Sequence, residues 1–264
     1  MDSLAGLLHS GAMHRSARLS AILEQLADGG SVAVAQLADA LNVSPATIRR
    51  DLAMLEEQRL LERMHGGAVG RAVAYELPLR YKSVRHGDEK RRIAVEAASR
   101  VTESMAVGLT GGTTATEVAK ALADRRDLTI VTNALNIASE LAIRPDVKLV
   151  VTGGVARSQS YELSGPIAET TLAALNLDIA FIGVDGIEAK AGCTTYQEIE
   201  AHTNGVMIEQ ARRVVVVADG SKIGRAAFAR MCPLSAVDEL ITDREADRDA
   251  VRKLTDNGVH VTFV

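Results

Sequence analysis

Aromatic residues make up only 3% of the chain and tryptophan is missing, which argues against a stacking surface for single-stranded nucleic acid. Cysteine is scarcer still. Cys193 and Cys232 stand apart, with no CxxC and no histidine at metal-ligand spacing. That pattern reads as two reduced thiols in a cytoplasmic protein, and no metal site is expected. No apolar run is long enough to span a bilayer. The N-terminus lacks a basic segment ahead of a long apolar core, so no signal peptide is read. Residues 1–12 are expected to form a loose leader, with Met13 an alternative start. Neither a Gly-Lys-Ser/Thr phosphate loop nor a GxGxxG run is present, so no nucleotide cofactor is expected. Internal repeats and low-complexity tracts are missing too.

What is there suffices for folding. The 264 residues are 47% hydrophobic, enough for two modest domains or one large one with a sizeable core. Net positive charge is lacking, at −4 overall. Between His14 and His65 the bases Arg15, Arg18, Arg49, Arg50, Arg59 and Arg63 face the acids Glu24, Asp28, Asp39, Asp51, Glu56, Glu57 and Glu62. A strongly basic domain is the usual footprint of a nucleic-acid binder. Any such function here must use locally placed charge and more than one copy of the region.

Residues 42–63, NVSPATIRRDLAMLEEQRLLER, supply that local charge. Ser44 is a good N-cap, and Pro45 falls where its missing N–H costs nothing. Ile48, Leu52 and Leu55 recur at i, i+4 and i+7 and predict one buried stripe. Thr47, Arg49, Arg50 and Met54 are left facing outward. Arginine offers a rigid fork of donors suited to guanine edges and phosphates. Upstream, residues 34–41 predict a short amphipathic helix with Leu37 and Leu41 inward, joined through Asn42 and Val43. Helix, short turn and second helix make the helix-turn-helix layout. Residues 60–69 form an apolar, strand-like run through Gly66 and Gly67, read as a β-wing. An ordinary three-helix unit with solvated arginines fits the same pattern.

The run VSPATIRRDLAMLEEQRLLERMHGGA resembles the winged helix-turn-helix signature of the DeoR family of bacterial transcriptional regulators. It has the Val-Ser start, the Thr-Ile-Arg-Arg-Asp-Leu core and the Arg-x-His-Gly-Gly-Ala wing. The resemblance implies that Ser44, Thr47, Arg49 and Arg50, with Arg63 and His65 of the wing, contact duplex operator DNA.

Leu19, Ile22, Leu23 and Leu26 predict a first helix, stopped at Asp28-Gly-Gly30. The small head is expected over residues 13–69. Residues 70–87 carry weak periodicity, a proline and several bases, and read as a linker whose arginines are solvated or touch phosphate. Over residues 88–264 strands and helices alternate. Strands are expected at 105–109, 128–132, 147–152, 179–182, 213–218, 239–242 and 259–263, and helices at 88–101, 113–123, 134–143, 166–175, 198–211 and 246–256. Continuously apolar strands between helices predict an α/β domain with a mostly parallel sheet covered on both faces.

Ligands of such sheets bind at the carboxyl ends of the strands. Small polar residues collect there: Thr110, Gly111, Gly112, Thr113 and Thr114 open a helix, and Thr132 and Asn133, Gly153 and Gly154, Asp185 and Gly186, and Lys222 follow later strands. Glycine lets a ligand approach the backbone, while threonine hydroxyls and helix N-terminal N–H groups hold an anion. Each motif alone is also a plain turn. Together they suit a small phosphorylated polyol, with Lys222 either beside the phosphate or on the open surface. The runs EKRRIA, GGTT, VTN and ADGSKIG are similar to the DeoR-family sensor domain, so the resemblance spans roughly residues 15–243. It implies a ribose-5-phosphate-isomerase-like fold that binds a phosphorylated sugar effector and adjusts operator binding.

The isomerase itself has an Asp-Gly-Ala-Asp run, a Lys-Gly-Gly-Gly loop and a glutamate. Here Asp185-Gly-Ile-Glu188 keeps two carboxylates, but Lys190-Ala-Gly-Cys-Thr-Thr195 lacks the triple glycine. Glu198 and Glu200, the remaining candidates for a base, read as ordinary surface charges on a helix. Proton transfer needs groups within hydrogen-bond reach of the substrate, so no catalytic residue is assigned. The expectation is a homo-oligomeric repressor of carbohydrate-metabolism genes, with a sugar-phosphate isomerase as the alternative.

Overall fold

The computed structural model describes residues 14–70, 76–83 and 85–264. The expected leader and Met13 lie outside them. The chain divides into two compact units, Met1–Arg85 and His86–Val264.

In the first unit, α1 (Arg15–Gly29), β1 (Ser31–Ala33), α2 (Val34–Ala40), α3 (Pro45–Glu57), β2 (Leu61–Met64), β3 (Gly67–Gly70) and α4 (Leu79–Lys82) follow in order. The apolar stripes read from the sequence meet in one core. Ile22 and Leu23 of α1, Leu37 of α2, and Ile48, Leu52 and Leu55 of α3 are all buried there. Ser44 caps α3 by accepting from the Thr47 N–H at 3.1 Å, and Pro45 opens the helix. The wing is the antiparallel β2–β3 hairpin, tied to β1 through β3. Its two glycines are needed for different reasons. Gly66 turns the chain with φ +81°, whereas a Cβ on Gly67 would lie 2.0 Å from the Val32 carbonyl oxygen.

Two sequence expectations change here. Met54 is not an outward residue of α3; it is half-buried and packs on the core. Part of the segment read as a linker belongs to the head: Leu77 and Tyr81 join its core. Ser20 donates to the Tyr81 carbonyl at 2.6 Å, and the Tyr81 hydroxyl donates to Gln58 at 2.6 Å. Burying two apolar side chains offsets the entropy of ordering this segment. Residues 71–75 and 84 of that segment lie outside the described residues.

The second unit begins with α5 (Gly87–Ala98), β4 (Ala106–Leu109), α6 (Thr113–Leu122), β5 (Leu128–Thr132), α7 (Leu135–Leu141) and β6 (Val147–Val151). A small hairpin, β7 (Val155–Ala156) and β8 (Leu163–Ser164), leads to α8 (Pro166–Ala173) and β9 (Ile179–Ile182). Then come β10 (Gly186–Glu188), β11 (Gly192–Thr195), α9 (Glu198–Glu209), β12 (Val214–Val217), β13 (Ala229–Cys232), β14 (Glu239–Thr242), α10 (Arg248–Asp256) and β15 (His260–Phe263).

Seven strands pair in the order β15-β14-β12-β9-β4-β5-β6, every pair parallel. Residues of α5, α6 and α7 cover one face; α8, α9 and α10 contribute to the core on the other. The chain builds outward from β4 through β5 to β6, then returns to lay β9 against the other edge of β4. β4 and β9 therefore flank the point where strand order reverses, the place where open α/β sheets bind ligands. A second sheet, β10-β11-β13, is antiparallel and was not expected. Its strands are short and carry glycine, threonine and arginine in place of a continuous apolar run. It sets Cys193 directly opposite Cys232, so two cysteines far apart in sequence are neighbours in space; both are free and buried.

Candidate functional site

On the head, α3 carries Arg49 and Arg50 exposed. Among the described residues neither makes a hydrogen bond or ion pair, so both forks of donors point to solvent unspent. The next residue is the opposite. Asp51 is 2% exposed and takes a forked contact from Arg18 of α1, Nε at 2.5 Å and Nη2 at 3.3 Å. One short stretch thus alternates between surface chemistry and internal anchoring. Ser44 and Thr47 share a hydroxyl–hydroxyl hydrogen bond of 2.9 Å at the start of α3, which orients Thr47 but engages Ser44 in capping. In the wing, His65 sits exposed at the turn. Arg63 is tied to Glu56 of α3 at 2.6 Å, and its own N–H donates to the same carboxylate at 3.0 Å. Those two hydrogen bonds hold the Glu56 carboxyl below its ordinary range and fix the wing to α3.

In the second unit, Thr110 follows β4 and Gly183 follows β9. The buried Thr110 hydroxyl accepts the Gly183 N–H at 2.9 Å and closes the gap at the reversal point. Gly112, with φ +114°, then turns the chain into α6. The first in-helix donor is the Thr116 N–H, to the Gly112 carbonyl at 3.0 Å. The earlier amides of the turn are the ones a helix start offers to an anion. Thr113 and Thr114 stand in that turn, Thr113 half-buried and Thr114 7% exposed.

On one side of this loop lies a buried group of acids. The β7–β8 turn carries Arg157 and Ser160, both of which engage Glu200 of α9, Arg157 at 2.6 Å and Ser160 through a short hydrogen bond. This clamp delivers Glu162 against Gly111, where a Cβ would fall 2.3 Å from Glu162 Oε1. Glu162 Oε2 accepts from Asn133 at 3.3 Å and from Asn204 at 3.0 Å. Asn133 also donates to Asn204 at 2.9 Å, while its own Oδ1 is buried without a partner. Such an orphan costs about 1–3 kcal/mol. Burial first, then the negative charges of Glu200 and Asp185, push the Glu162 pKa up to about 8, against the two amide hydrogen bonds.

That acid has a stability signature. Below its ordinary value of 4.5 both folded and unfolded chains carry the proton. Between 4.5 and about 8 only the folded chain holds it, so rising pH destabilises the fold by up to about 1.4 kcal/mol per pH unit. The loss is complete above that window. Melting curves from pH 5 to 9 should show a decline in wild type that flattens in Glu162→Gln. Parallel profiles would mean that Glu162 is not a buried neutral acid.

A second group, of bases, gathers around Asp219. Asp219, at the end of β12, is 3% exposed and Lys90 of α5 is 4% exposed. Burial raises the Asp219 pKa, but the Ser221 hydrogen bond and the charges of Lys222, His86 and Lys90 outweigh it and hold the carboxylate ionised. The helices α5 and α6 pack together, and each lays its buried face on the same core. Lys90 enters at the α5 start, as the Thr110–Thr114 loop does at the α6 start.

Sequence-predicted residues sort unevenly on this ground. Gly111, Gly112, Thr113 and Thr114 form the loop, Asn133 and Asp185 border the acids, and Lys222 lies with the bases. Thr132 is spent internally: its hydroxyl donates to the Leu109 carbonyl at 2.8 Å and accepts the Ala134 N–H at 3.1 Å. Glycine at 186 is required because a Cβ would lie 2.4 Å from the Arg225 carbonyl oxygen, and at Gly154 one would lie 2.9 Å from that of Ser164. Gly153 turns with φ +71°. Glu188 accepts the N–H groups of Lys190 and Ala191, each at 2.9 Å, so it serves its hairpin. Glu198 is exposed, but Glu200 is not the surface charge expected; it is 2% exposed. Glu162, Asn204, Arg157 and Lys90 were missed, and Glu200 was named but read as a surface charge. Two of them carried a signal: Lys90 is in step with buried Ile93, Ala94 and Ala97 of α5, and Glu200 with Asn204, Met207 and Ile208 of α9.

Comparison with known proteins agrees with this division. Residues 18–71 match the DeoR-like helix-turn-helix domain and residues 85–244 the DeoR C terminal sensor domain. The HTH-type transcriptional regulator GlpR of Haloferax volcanii is 38% identical over 241 residues, 91% of this chain and 94% of that protein. The glycerol-3-phosphate regulon repressor of Escherichia coli is 32% identical over 249 residues, 94% of this chain and 99% of that protein. Ribose 5-phosphate isomerase A of Methanocaldococcus jannaschii aligns in structure with a TM-score of 0.39 and 22% identity, over 52% of this chain and 54% of that one. Among the described residues no helix is long and apolar enough to cross a membrane.

Proposed function

The chain belongs to the DeoR family of transcriptional regulators, and from that premise we propose that it is a DNA-binding repressor released by a phosphorylated sugar or polyol. The observation that carries the proposal is the unspent pair Arg49 and Arg50 on an exposed helix start, above an Asp51 that is wholly internal. Arginines held free on a rigid helix suit the major groove. Thr47, Arg49 and Arg50 read base edges or phosphates, Ser44 sets the helix start, and His65 and Arg63 of the wing approach the backbone. Because one nearly neutral head binds weakly, the working form is a homo-oligomer on paired half-sites in the cytoplasm.

The effector's phosphate rests on the Thr110–Thr114 loop, with Lys90 and Lys222 on the basic side. Its uncharged end faces Asn133 and Asp185. One relative is named for glycerol 3-phosphate, which has that shape: one anionic end, one hydroxylated end. The carboxylates of an isomerase are scattered into structural tasks, Glu188 in its hairpin and Glu200 in its clamp, and the named relatives are regulators. The reading is therefore a sensor and not an enzyme.

The test is a thermal-shift screen of the full chain against phosphorylated sugars, polyols and their unphosphorylated partners. A ligand that binds only the folded state raises Tm by mass action. A shift confined to phosphorylated compounds is expected. Equal shifts with the unphosphorylated partners would remove the anion site, and no shift at all would remove the effector class.

A further inference from the structure

We propose that Cys193 and Cys232 form a reversible oxidation site, where a hydroperoxide joins the two thiols in a disulfide that stiffens the strands holding Asp185. This goes beyond the regulator reading and holds whether or not residues 110–114 seat a phosphate.

The chain has two cysteines, and the fold makes them neighbours. They are directly paired residues of the antiparallel strands β11 and β13. Such pairs have Cα atoms about 4.5 or 5.5 Å apart and side chains on one face of the sheet. A disulfide takes a Cα separation of about 4.4–6.8 Å, so the backbone is already in reach. Gly192 keeps the strands close at this point, since a Cβ there would lie 2.2 Å from the Cys232 carbonyl oxygen. A thiol hydrogen bond from Cys193 holds Cys232 below a thiol's ordinary range against its burial; the same bond, with burial, pushes Cys193 up. Cys232 is thus the attacking sulfur and Cys193 the resolving one.

Both thiols are buried, but the shelter is thin on one side. Cys232 ends β13, an edge strand of its sheet, and the next residue, Pro233, is exposed. Strands of three or four residues open locally at small cost, which admits a molecule the size of hydrogen peroxide. The Cys232 thiolate then attacks one peroxide oxygen. The O–O bond breaks, and the departing hydroxide takes the proton that Cys232 gave up, leaving water and a sulfenic acid. Cys193 attacks the sulfenic sulfur, the S–O bond breaks, and that hydroxyl leaves as a second water with the Cys193 proton. Two thiols have lost two electrons and two protons to one peroxide, and a small dithiol reverses the change by exchange.

The link lies next to Asp185. From Cys193, β11 runs on into Thr194 and Thr195. The Thr194 carbonyl accepts the Asp185 N–H at 3.0 Å, and the Thr195 hydroxyl donates to the Asp185 carboxylate at 3.0 Å. The β11–β13 pairing shifts register between Cys193 and Thr194, so the cross-link ties down the strand at its irregular point.

The experiment treats the native full chain with a small excess of hydrogen peroxide, then quenches, unfolds and alkylates it with iodoacetamide. Mass spectrometry should find a peptide joining Cys193 to Cys232 and no alkyl group on either cysteine, with both thiols recovered after dithiothreitol. Two alkylated cysteines, or oxygen added irreversibly to either one, would overturn the proposal. In Cys193→Ser, dimedone should trap Cys232 as its sulfenic acid, whereas Cys232→Ser should leave Cys193 unmodified; the reverse pattern would overturn the assigned order of attack. The wild-type measurement needs no variant and decides the matter if a variant fails to fold. Amide hydrogen exchange reads the consequence: peptides spanning residues 185–195 should exchange about tenfold more slowly in the oxidised chain. Equal exchange in the two forms would overturn the link to Asp185.

Discussion

Replacing Arg49 and Arg50 together with alanine is expected to weaken operator binding by about a hundredfold or more, taking roughly 1–3 kcal/mol for each arginine that contacts a base. Folding should be untouched. Both side chains are exposed on α3 and, among the described residues, hold no partner, so their removal strands nothing in the interior. Fluorescence anisotropy on a duplex that wild type selects from a random-sequence pool reads the first effect, and a melting curve the second. Weakening that is uniform over all duplexes, with a shallower dependence on salt, would assign the two arginines to phosphates. Affinity and specificity both unchanged would mean that α3 is not the recognition helix.

The largest stability effect belongs to the next residue. Asp51→Ala takes the forked carboxylate away from the buried Arg18 guanidinium, and removing one partner of a buried ion pair costs about 3–5 kcal/mol, a large share of the roughly 5–15 kcal/mol that holds a domain together. The pair's side chains are 11% and 3% exposed, so solvent screening relieves little of it. Since the chain forms two compact units, calorimetry should resolve the consequence: the head's transition falls sharply or vanishes while that of the second unit stays. Arg18→Met with Asp51→Leu removes both charges and should recover most of the lost stability. A head transition unmoved by Asp51→Ala would show that the forked contact carries no weight.

These two predictions mark what the sequence could and could not show. Ile48, Leu52 and Leu55 were legible because a helix repeats every 3.6 residues, and all three are buried. Strands such as β9 and β12 were legible because a doubly covered sheet demands continuous apolar runs. The Thr110–Thr114 loop was legible because its position after β4 follows from strand order. Asp51 was not, since its partner Arg18 lies 33 residues away and a charged residue on an exposed-looking helix gives no sign of burial. Glu162 was hidden for the same reason: Asn133, Asn204 and Gly111 come from three separate elements. Lys90 and Glu200 were recoverable from their step with buried neighbours, had charge not been taken as a mark of the surface. Met54 errs the other way, because the α3 core stripe is wider than three residues. Thr132 had the right composition for a ligand contact, yet its hydroxyl bridges Leu109 and Ala134.

Joining the two units into one function requires that the effector bind the DNA-competent and DNA-incompetent forms with different affinity. The direct measurement is operator affinity of the full chain, by anisotropy, with and without a saturating phosphorylated sugar or polyol taken from the thermal-shift screen. The account predicts a fall of about five- to 150-fold, the usual range of allosteric coupling, abolished when the same ligand is offered without its phosphate. A ligand that binds tightly and leaves operator affinity unchanged would contradict it.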